Sequence, residues 1–467
     1  MRLYDYQSEC LHEIDWFHGR ALLGIDCGLG KTAISLSYLK QHPACFPCVI
    51  ICPASLKYQW RREAKIWTGL KAFIAEGTNP DEAILNKPPK ISIINYDILF
   101  KRKSKKRVDK GKSWTDFLKQ LKPNLIVIDE CQRIGGRSKC SAAVKELCRG
   151  VPSILALSGT PFTSKPIEIF PVLNILKPNV FSSKLLFAER YCDPRWTLFG
   201  MKYDGLSHGN ELHDLLLENA LVRRRMIDVL PELPEQIDEM IPVPISNEMD
   251  YMQADEDLIQ WLQEIDLAKA ERASKAVEFS KIGYLLQLAA KGKIPYLIEW
   301  VNNFLEESDE KLVVFATHRE MLNALQEGCQ AKSIMIHGGV TGKDRDKAVE
   351  VFRSDNRVRV CFANIRAAGT GLDGLQVANN VLLAELDWAP GKIKQAIHRC
   401  YRIGTKKTVI AYWVVAEGTI EERICELLQL KQEYFSKVLD GGKEEGDFEV
   451  YNMLLREMKR ESKKRRK

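Results

Sequence analysis

Three sets of residues in this 467-residue sequence have the types and spacing for phosphate chemistry. In Gly28-Leu29-Gly30-Lys31-Thr32, the glycines let backbone amides approach a phosphate without a side-chain clash. Lys31 reaches the β/γ oxygens and Thr32 offers a hydroxyl to Mg2+. Asp129-Glu130 closes the apolar run Leu125-Ile126-Val127-Ile128, with Asp129 suited to orient Mg2+ through its water shell and Glu130 to polarise the water that attacks the γ-phosphorus. More than three hundred residues after the glycines come Gln395, Arg399 and Arg402. The two arginines are spaced one helical turn apart, as guanidinium groups meeting the phosphate from a separate domain would be. The combination implies a two-lobed ATP motor.

Each set needs elements to hold it. Ala21 to Ile25 reads as a short buried strand, and Thr32 to Leu39 keeps helical apolar spacing, so the glycines fall at a strand-to-helix turn. Ile25 stands where a strict P-loop has glycine, and the shorter G-x-G-K-T loop of helicase-like ATPases fits instead. Asp129 and Glu130 sit at the C-terminal end of a predicted parallel strand, where ligand sites of open α/β sheets lie; taken alone, an acidic helix cap accounts for them equally well. Ser158-Gly159-Thr160-Pro161 follows a further strand, Ser153 to Leu157, and reads either as a coupling turn to the far lobe or as a simple loop.

The chain is long enough to divide into domains, and each half has its own strands. The first offers Ala21 to Ile25, Val49 to Cys52, Ile91 to Asn95, Leu125 to Ile128 and Ile154 to Leu157. The second offers Lys311 to Ala316, Ser333 to Ile336, Val358 to Ala363, Asn380 to Ala384 and Val409 to Val415. Helical stretches separate them, so the fold class is α/β with parallel sheets. The expected division is a first lobe over 1–165, helical protrusions and an interlobe connection over 166–295, a second lobe over 296–430, and a helical extension with a basic tail over 431–467. No apolar heptad persists long enough for a coiled coil, and no internal repeat is apparent.

In order and content these segments resemble the Swi/Snf-type ATPases of helicase superfamily 2 over nearly the whole chain. The likeness runs through Tyr6-Gln7, Asp26-Cys27-Gly28-Leu29-Gly30-Lys31-Thr32, Cys52-Pro53-Ala54-Ser55-Leu56 with Trp60, Asp129-Glu130-Cys131-Gln132 and Leu157-Ser158-Gly159-Thr160-Pro161. It continues in Gly369-Thr370-Gly371-Leu372, Gln395-Ala396-Ile397-His398-Arg399-Cys400-Tyr401-Arg402-Ile403-Gly404 and Gly418-Thr419-Ile420-Glu421-Glu422-Arg423. Arg190-Tyr191-Cys192-Asp193, Leu221-Val222-Arg223-Arg224-Arg225 and Asp228-Val229-Leu230-Pro231-Glu232-Leu233-Pro234 are most similar to the fork-remodelling, annealing-helicase branch. The resemblance implies two tandem RecA-like lobes of the P-loop NTPase type with helical protrusions between them. It implies ATP and Mg2+ as cofactors, Gln7 as an adenine reader (alone, it reads as an ordinary helix-surface glutamine), and Gly371 and Asp373 as second-lobe contributors to nucleotide binding. It further implies a DNA-dependent ATPase that translocates on double-stranded or forked DNA and remodels or reanneals it. A strand-separating DNA or RNA helicase and a catalytically silent nucleic-acid-binding scaffold are the alternatives. Three positions depart from the pattern: Gln132 where histidine is usual, His337 before Gly338 where aspartate is common, and Thr405 in place of glutamine.

Charge points to the same partner. Residues 101–112 carry net +7 and residues 456–467 net +6, against +7 for the whole chain, so the positive charge is concentrated and the remainder is net negative. Such segments bind phosphate backbones without reading sequence, or are solvated tails; beside a helicase-like motor, DNA is the expected partner. The terminal segment also fits a localisation signal. The 13 cysteines form no repeated pairs, and the isolated Cys45, Cys48 and Cys52 set lacks a fourth zinc ligand, so these are expected in the core. Trp388 fits base stacking or packing. Nothing reads as a secretory signal or a membrane span. An intracellular, monomeric motor is therefore expected, in cytoplasm or nucleoid, in a nucleus, or in a host cytoplasm. The helical protrusions, the basic segments or a separate recruiting protein would supply its targeting.

Overall fold

The computed structural model describes the chain apart from residues 1, 101–112, 137, 162–164, 198–199, 204, 265–270, 341, 366–373, 388, 426–427, 429–438, 441–445 and 448–467. Both basic segments, Gly371, Asp373 and Trp388 thus lie outside the described residues. Two compact units form: Met1–Glu232 with Tyr434–Phe448, and Leu233–Glu433 with Glu449–Lys467.

The first unit is built on a seven-stranded parallel sheet. Its early strands are β1 (Arg20–Ile25), β2 (Cys48–Cys52), β3 (Phe73–Ile74), β4 (Ile91–Asn95), β5 (Leu125–Asp129) and β6 (Ser153–Leu157). After β7 (Pro194–Thr197) and β8 (Gly200–Tyr203), which form a separate hairpin, and the short β9 (Gly205–Leu206), β10 (Leu221–Arg224) completes it in the order β10-β1-β6-β5-β2-β4-β3. β2, β4 and β5 are buried at every position, as a parallel sheet covered on both faces requires, and this is why they read as unbroken apolar runs. The chain passes from β1 to β2 over the places later filled by β6 and β5. Register then sets Asp129 opposite Leu157 and Leu157 opposite Leu23, so the C-terminal ends of β5 and β6 stand level and β1 runs two residues further, to Ile25. Cys48 and Cys52 lie within β2, and burial raises both thiol pKa values.

The second unit repeats the plan with six parallel strands: β11 (Gln236–Val243), β12 (Leu312–Ala316), β13 (Lys332–Ile336), β14 (Val358–Asn364), β15 (Asn380–Leu383) and β16 (Val409–Ala416), in the order β11-β16-β15-β12-β14-β13. The long helix Glu271–Glu307 packs on this sheet and carries Lys293, which is fully buried. Its ammonium donates to Glu421 Oε2 at 2.7 Å and to the carbonyls of Ala384 and Val414 at 2.9 and 3.1 Å, a fully bonded buried charge.

The stretch 166–295 differs from the expected helical block. It contains the helices, but also β10 and β11, an outer strand for each sheet, and the units divide between them at Glu232 and Leu233. Sequence periodicity conceals both strands. β10 has only Leu221 and Val222 as apolar residues, and β11 is a largely exposed edge strand with charges and Pro242, tolerated because an edge leaves amides unpaired.

Candidate nucleotide site

The turn from β1 into the helix α2 (Lys31–Gln41) holds the first set of residues. Gly28 and Gly30 have φ of +91° and +82°, the left-handed region open to glycine, and Gly30 caps α2. Lys31, Thr32 and the loop amides therefore gather at a helix N-terminus, where backbone N–H groups and the helix dipole favour an anion. Lys31 Nζ donates to the carbonyls of Ile25 at 2.7 Å and Asp26 at 3.3 Å, which places its charge inside the loop.

Gln7 on the preceding helix α1 (Asp5–Trp16) is buried, so the ordinary surface reading is excluded. Its Nε2 donates to the Leu29 carbonyl at 3.1 Å, the Tyr6 hydroxyl donates to the same carbonyl at 3.0 Å, and Gln7 Oε1 accepts the Tyr4 amide at 3.0 Å. A Cβ on Gly30 would stand 2.5 Å from Gln7 Nε2. A side chain at position 30 would therefore force the Gln7 amide or the loop to shift.

The carboxylates stand at the end of β5. Asp129 is buried; its Oδ2 accepts the Trp60 indole N–H at 2.8 Å, and its carbonyl accepts the Tyr96 hydroxyl at 2.6 Å. Burial pushes the Asp129 carboxyl well above its usual range and the neighbouring Glu130 adds to this, while the Trp60 hydrogen bond and the Lys31 ammonium oppose it. Glu130 has φ +53° and ψ +54°, a left-handed conformation costly for a side-chain-bearing residue and typical of functional sites. Its Oε2 accepts Gln132 Nε2 at 2.5 Å. Gln132 Oε1 accepts the Ser158 hydroxyl at 2.8 Å, and Ser158 Oγ accepts the Thr160 amide at 3.0 Å. An amide side chain both donates and accepts, so Gln132 can link the carboxylate to the Ser158 turn. The hydrogen bonds of that turn thus run through Gln132 to Glu130. Glu130 stands at the N-cap of the short 3-10 helix Cys131–Ile134 but makes no side-chain cap hydrogen bond, and Asp129 Oδ2 is taken by Trp60, so the acidic-cap reading does not account for the pair.

Carboxylate and hydroxyl oxygens, with two acidic groups beside one lysine, form a donor set of the kind a hard divalent cation takes. Thr32 and Asp129 fit that role by chemistry.

In the second unit Gln395 lies on the helix Pro390–Ile397 and is buried. The spacing of Arg399 and Arg402 predicts a shared helical face, but the helix ends at Ile397 and both arginines lie in the following turn. Thr405 shapes this turn: its hydroxyl accepts the Arg402 amide at 3.1 Å and lies 2.9 and 2.7 Å from the carbonyls of Cys400 and Arg402. A short side chain capping its own backbone competes with helix continuation. Trp60, Tyr96, Tyr6 and Arg223 act on the first unit's site without having been picked out for it by sequence. Trp60, Tyr6 and Arg223 each stood in or beside a segment of the resemblance, Cys52-Pro53-Ala54-Ser55-Leu56, Tyr6-Gln7 and Leu221-Val222-Arg223-Arg224-Arg225, whereas Tyr96 had no signal.

Comparison with known proteins gives a match to the SNF2-related domain over residues 6–293 and to the helicase conserved C-terminal domain over residues 292–404. The chain is 29% identical to the Bos taurus protein "DNA annealing helicase and endonuclease ZRANB3", over 93% of this chain and 41% of that protein. It is 27% identical to the Caenorhabditis elegans "SWI/SNF-related matrix-associated actin-dependent regulator of chromatin subfamily A-like protein 1 homolog", over 94% of this chain and 62% of that protein. It therefore spans less than two thirds of either relative. A solved structure, "Sulfolobus solfataricus SWI2/SNF2 ATPase core in complex with dsDNA", aligns with 95% of this chain and 94% of its own at 22% identity and a TM-score of 0.42.

Proposed function

This chain belongs to the SNF2-related domain family, and from that premise we propose that it is an ATP hydrolase that translocates on double-stranded or forked DNA and remodels or reanneals it. The observation that carries the reading is the first unit's arrangement: a glycine loop opening a helix, with a lysine inside it, at the same edge of the sheet as a buried aspartate that ends β5, the next strand but one from β1. The relative named as a DNA annealing helicase supports rewinding of opened duplex as the direction of the work.

In this reading the loop amides and Lys31 hold the triphosphate, and Gln7 holds the loop and meets the adenine. Thr32 and Asp129 would hold Mg2+, which would supply neutralisation of phosphate charge. Trp60 fixes the Asp129 carboxylate, and Glu130 orients the attacking water and takes its proton. Gln132 and Ser158 pass a change at Glu130 to the following turn. Arg399 and Arg402 are the second unit's contribution to the charge of the transferring phosphoryl group, with Gly371 and Asp373 as further nucleotide contacts. No helix of the described residues is long and apolar enough to cross a membrane.

The test is ATP turnover measured with duplex DNA, forked DNA, single strands and RNA. Stimulation by duplex or fork is expected. Stimulation by RNA alone defeats the DNA assignment, and hydrolysis under no condition favours a binding scaffold. Lys31→Ala is expected to abolish turnover, and an unchanged rate would overturn the phosphate-loop assignment.

A further inference from the structure

The chain leaves the first unit at Glu232, builds the second, and rejoins the first at residues 434–448. The described part of the returning segment is anchored on both sides of Asp440. Leu439 is buried in the first unit's core, and β17 (Gly446–Asp447) pairs antiparallel with β9. Between these anchors Asp440 meets Arg223 of β10, 217 positions earlier in the chain, through two hydrogen bonds: Nε to Oδ1 at 2.6 Å and Nη2 to Oδ2 at 3.2 Å.

The guanidinium does not stop there. Its Nη1 donates to the Gly24 carbonyl at 2.8 Å and to Asp26 Oδ1 at 2.9 Å. Asp26 Oδ2 accepts the Met226 amide at 3.2 Å, and the Asp26 amide donates to the Arg224 carbonyl at 3.0 Å. Asp26 is the first residue after β1, and its carbonyl receives Lys31 Nζ and the Leu29 amide. The three charged side chains are only 11%, 8% and 12% exposed, so their bonds are little screened by water.

We propose that Arg223 and Asp440 are positioning residues for the nucleotide site: the returning segment clamps Arg223, Arg223 fixes Asp26, and Asp26 holds the phosphate loop in its binding shape. This rests on the nucleotide reading given above. The sign of the effect separates it from simple electrostatics. Asp440→Asn removes a negative charge from the unit that binds the anionic triphosphate, which by Coulomb's law alone tightens binding. Loss of positioning weakens binding instead, because the asparagine amide turns a donor toward one of the two Arg223 N–H groups that the carboxylate had accepted.

The experiment measures the dissociation constant of a fluorescent methylanthraniloyl ATP with Mg2+ on the full chain, beside thermal melting without nucleotide. Wild type is expected to bind, and Asp440→Asn to bind about tenfold more weakly, a loss of about 1.4 kcal/mol. Asp440→Glu, which keeps both acceptor oxygens, is expected to recover most of that loss. Arg223→Lys is expected to weaken binding as well, since one ammonium cannot reproduce the planar fork spanning both carboxylates, and it serves should Asp440→Asn not fold. Wild-type affinity in the folded Asp440→Asn protein, or in Arg223→Lys, overturns the proposal even if melting temperature falls, leaving the clamp a stabilising contact. Tighter binding overturns it too. Failure of the wild type to bind the probe defeats the nucleotide reading itself, a separate result.

Discussion

At Gly30 two demands coincide: a left-handed backbone and a buried amide 2.5 Å from where a Cβ would be. Alanine there must displace Gln7 or rotate the loop, and misplacing groups around a phosphate by about 1 Å costs on the order of 100-fold in rate. Gly30→Ala is therefore expected to lower ATP turnover by about that factor while the protein still folds, as circular dichroism and steady-state kinetics would establish; turnover within twofold of wild type would mean the loop tolerates the shift. Arg402 makes the complementary case. In the proposed mechanism it acts on the transferring phosphoryl group, and loss of such an arginine costs about 10³ to 10⁵ in rate. Arg402→Ala should retain ATP binding and lose turnover by at least the lower figure, and normal turnover would remove the second unit from the chemistry. At this scale the sequence was legible where chemistry demands residue types in a row, as at Gly28 to Thr32 or Asp129-Glu130. It named no partner for Trp60, Tyr96 or Arg223, because those partners lie 69, 33 and 197 positions away.

Among the elements, the helix Arg319–Gly328 is held to the end of the second sheet by one carboxylate. Glu385 accepts the amides of Thr317 and His318 at 2.8 Å each, and lies 2.8 Å from His318 Nδ1. Burial by itself would raise the Glu385 pKa, but the His318 side chain and these backbone donors outweigh it and the net shift is downward. A carboxylate with a depressed folded pKa stabilises fully above its unfolded value, about 4.3, and the contribution disappears as pH falls through the lower folded value. Glu385→Gln should therefore be less stable than wild type at pH 7, by about 2 kcal/mol for hydrogen bonds to a charged group. The gap should close progressively below about pH 4.3. Urea titrations across that range would show it, and a gap constant down to the folded limit would mean the charge contributes nothing. The central strands were legible because burial on both faces leaves an apolar run; β10 and β11, at the sheet margins, lack one.

For the whole molecule, the proposed partner is DNA, and concentrated positive charge would set how strongly it binds. The basic segment 456–467 is expected to meet DNA phosphates, and each phosphate neutralised on a duplex releases counterions that add about 0.9 to the salt slope. Deleting the segment should flatten the salt dependence of duplex binding by that amount for every phosphate it had neutralised. An unaltered slope would leave the segment a solvated tail. The two-unit division was foreseeable, because the chain exceeds what one core organises and each half carries five predicted parallel strands. The position of the division was not, since residues 166–232 pack with the first unit and residues 434–448 return to it.

The amino-acid order alone carried the family resemblance, the paired parallel sheets and the candidates for phosphate chemistry, because these depend on local spacing: a glycine beside a lysine, an apolar run ending in acid, a strand followed by a helix. Tertiary structure decided what surrounds those groups. The indole on Asp129, the glutamine beneath Gly30, the turn that takes Arg399 and Arg402 off the helix, and the Asp440 clamp all depend on which strands and side chains become neighbours. Hydrogen bonds and ion pairs between remote residues leave no periodic trace in a sequence, so only the folded chain reveals them.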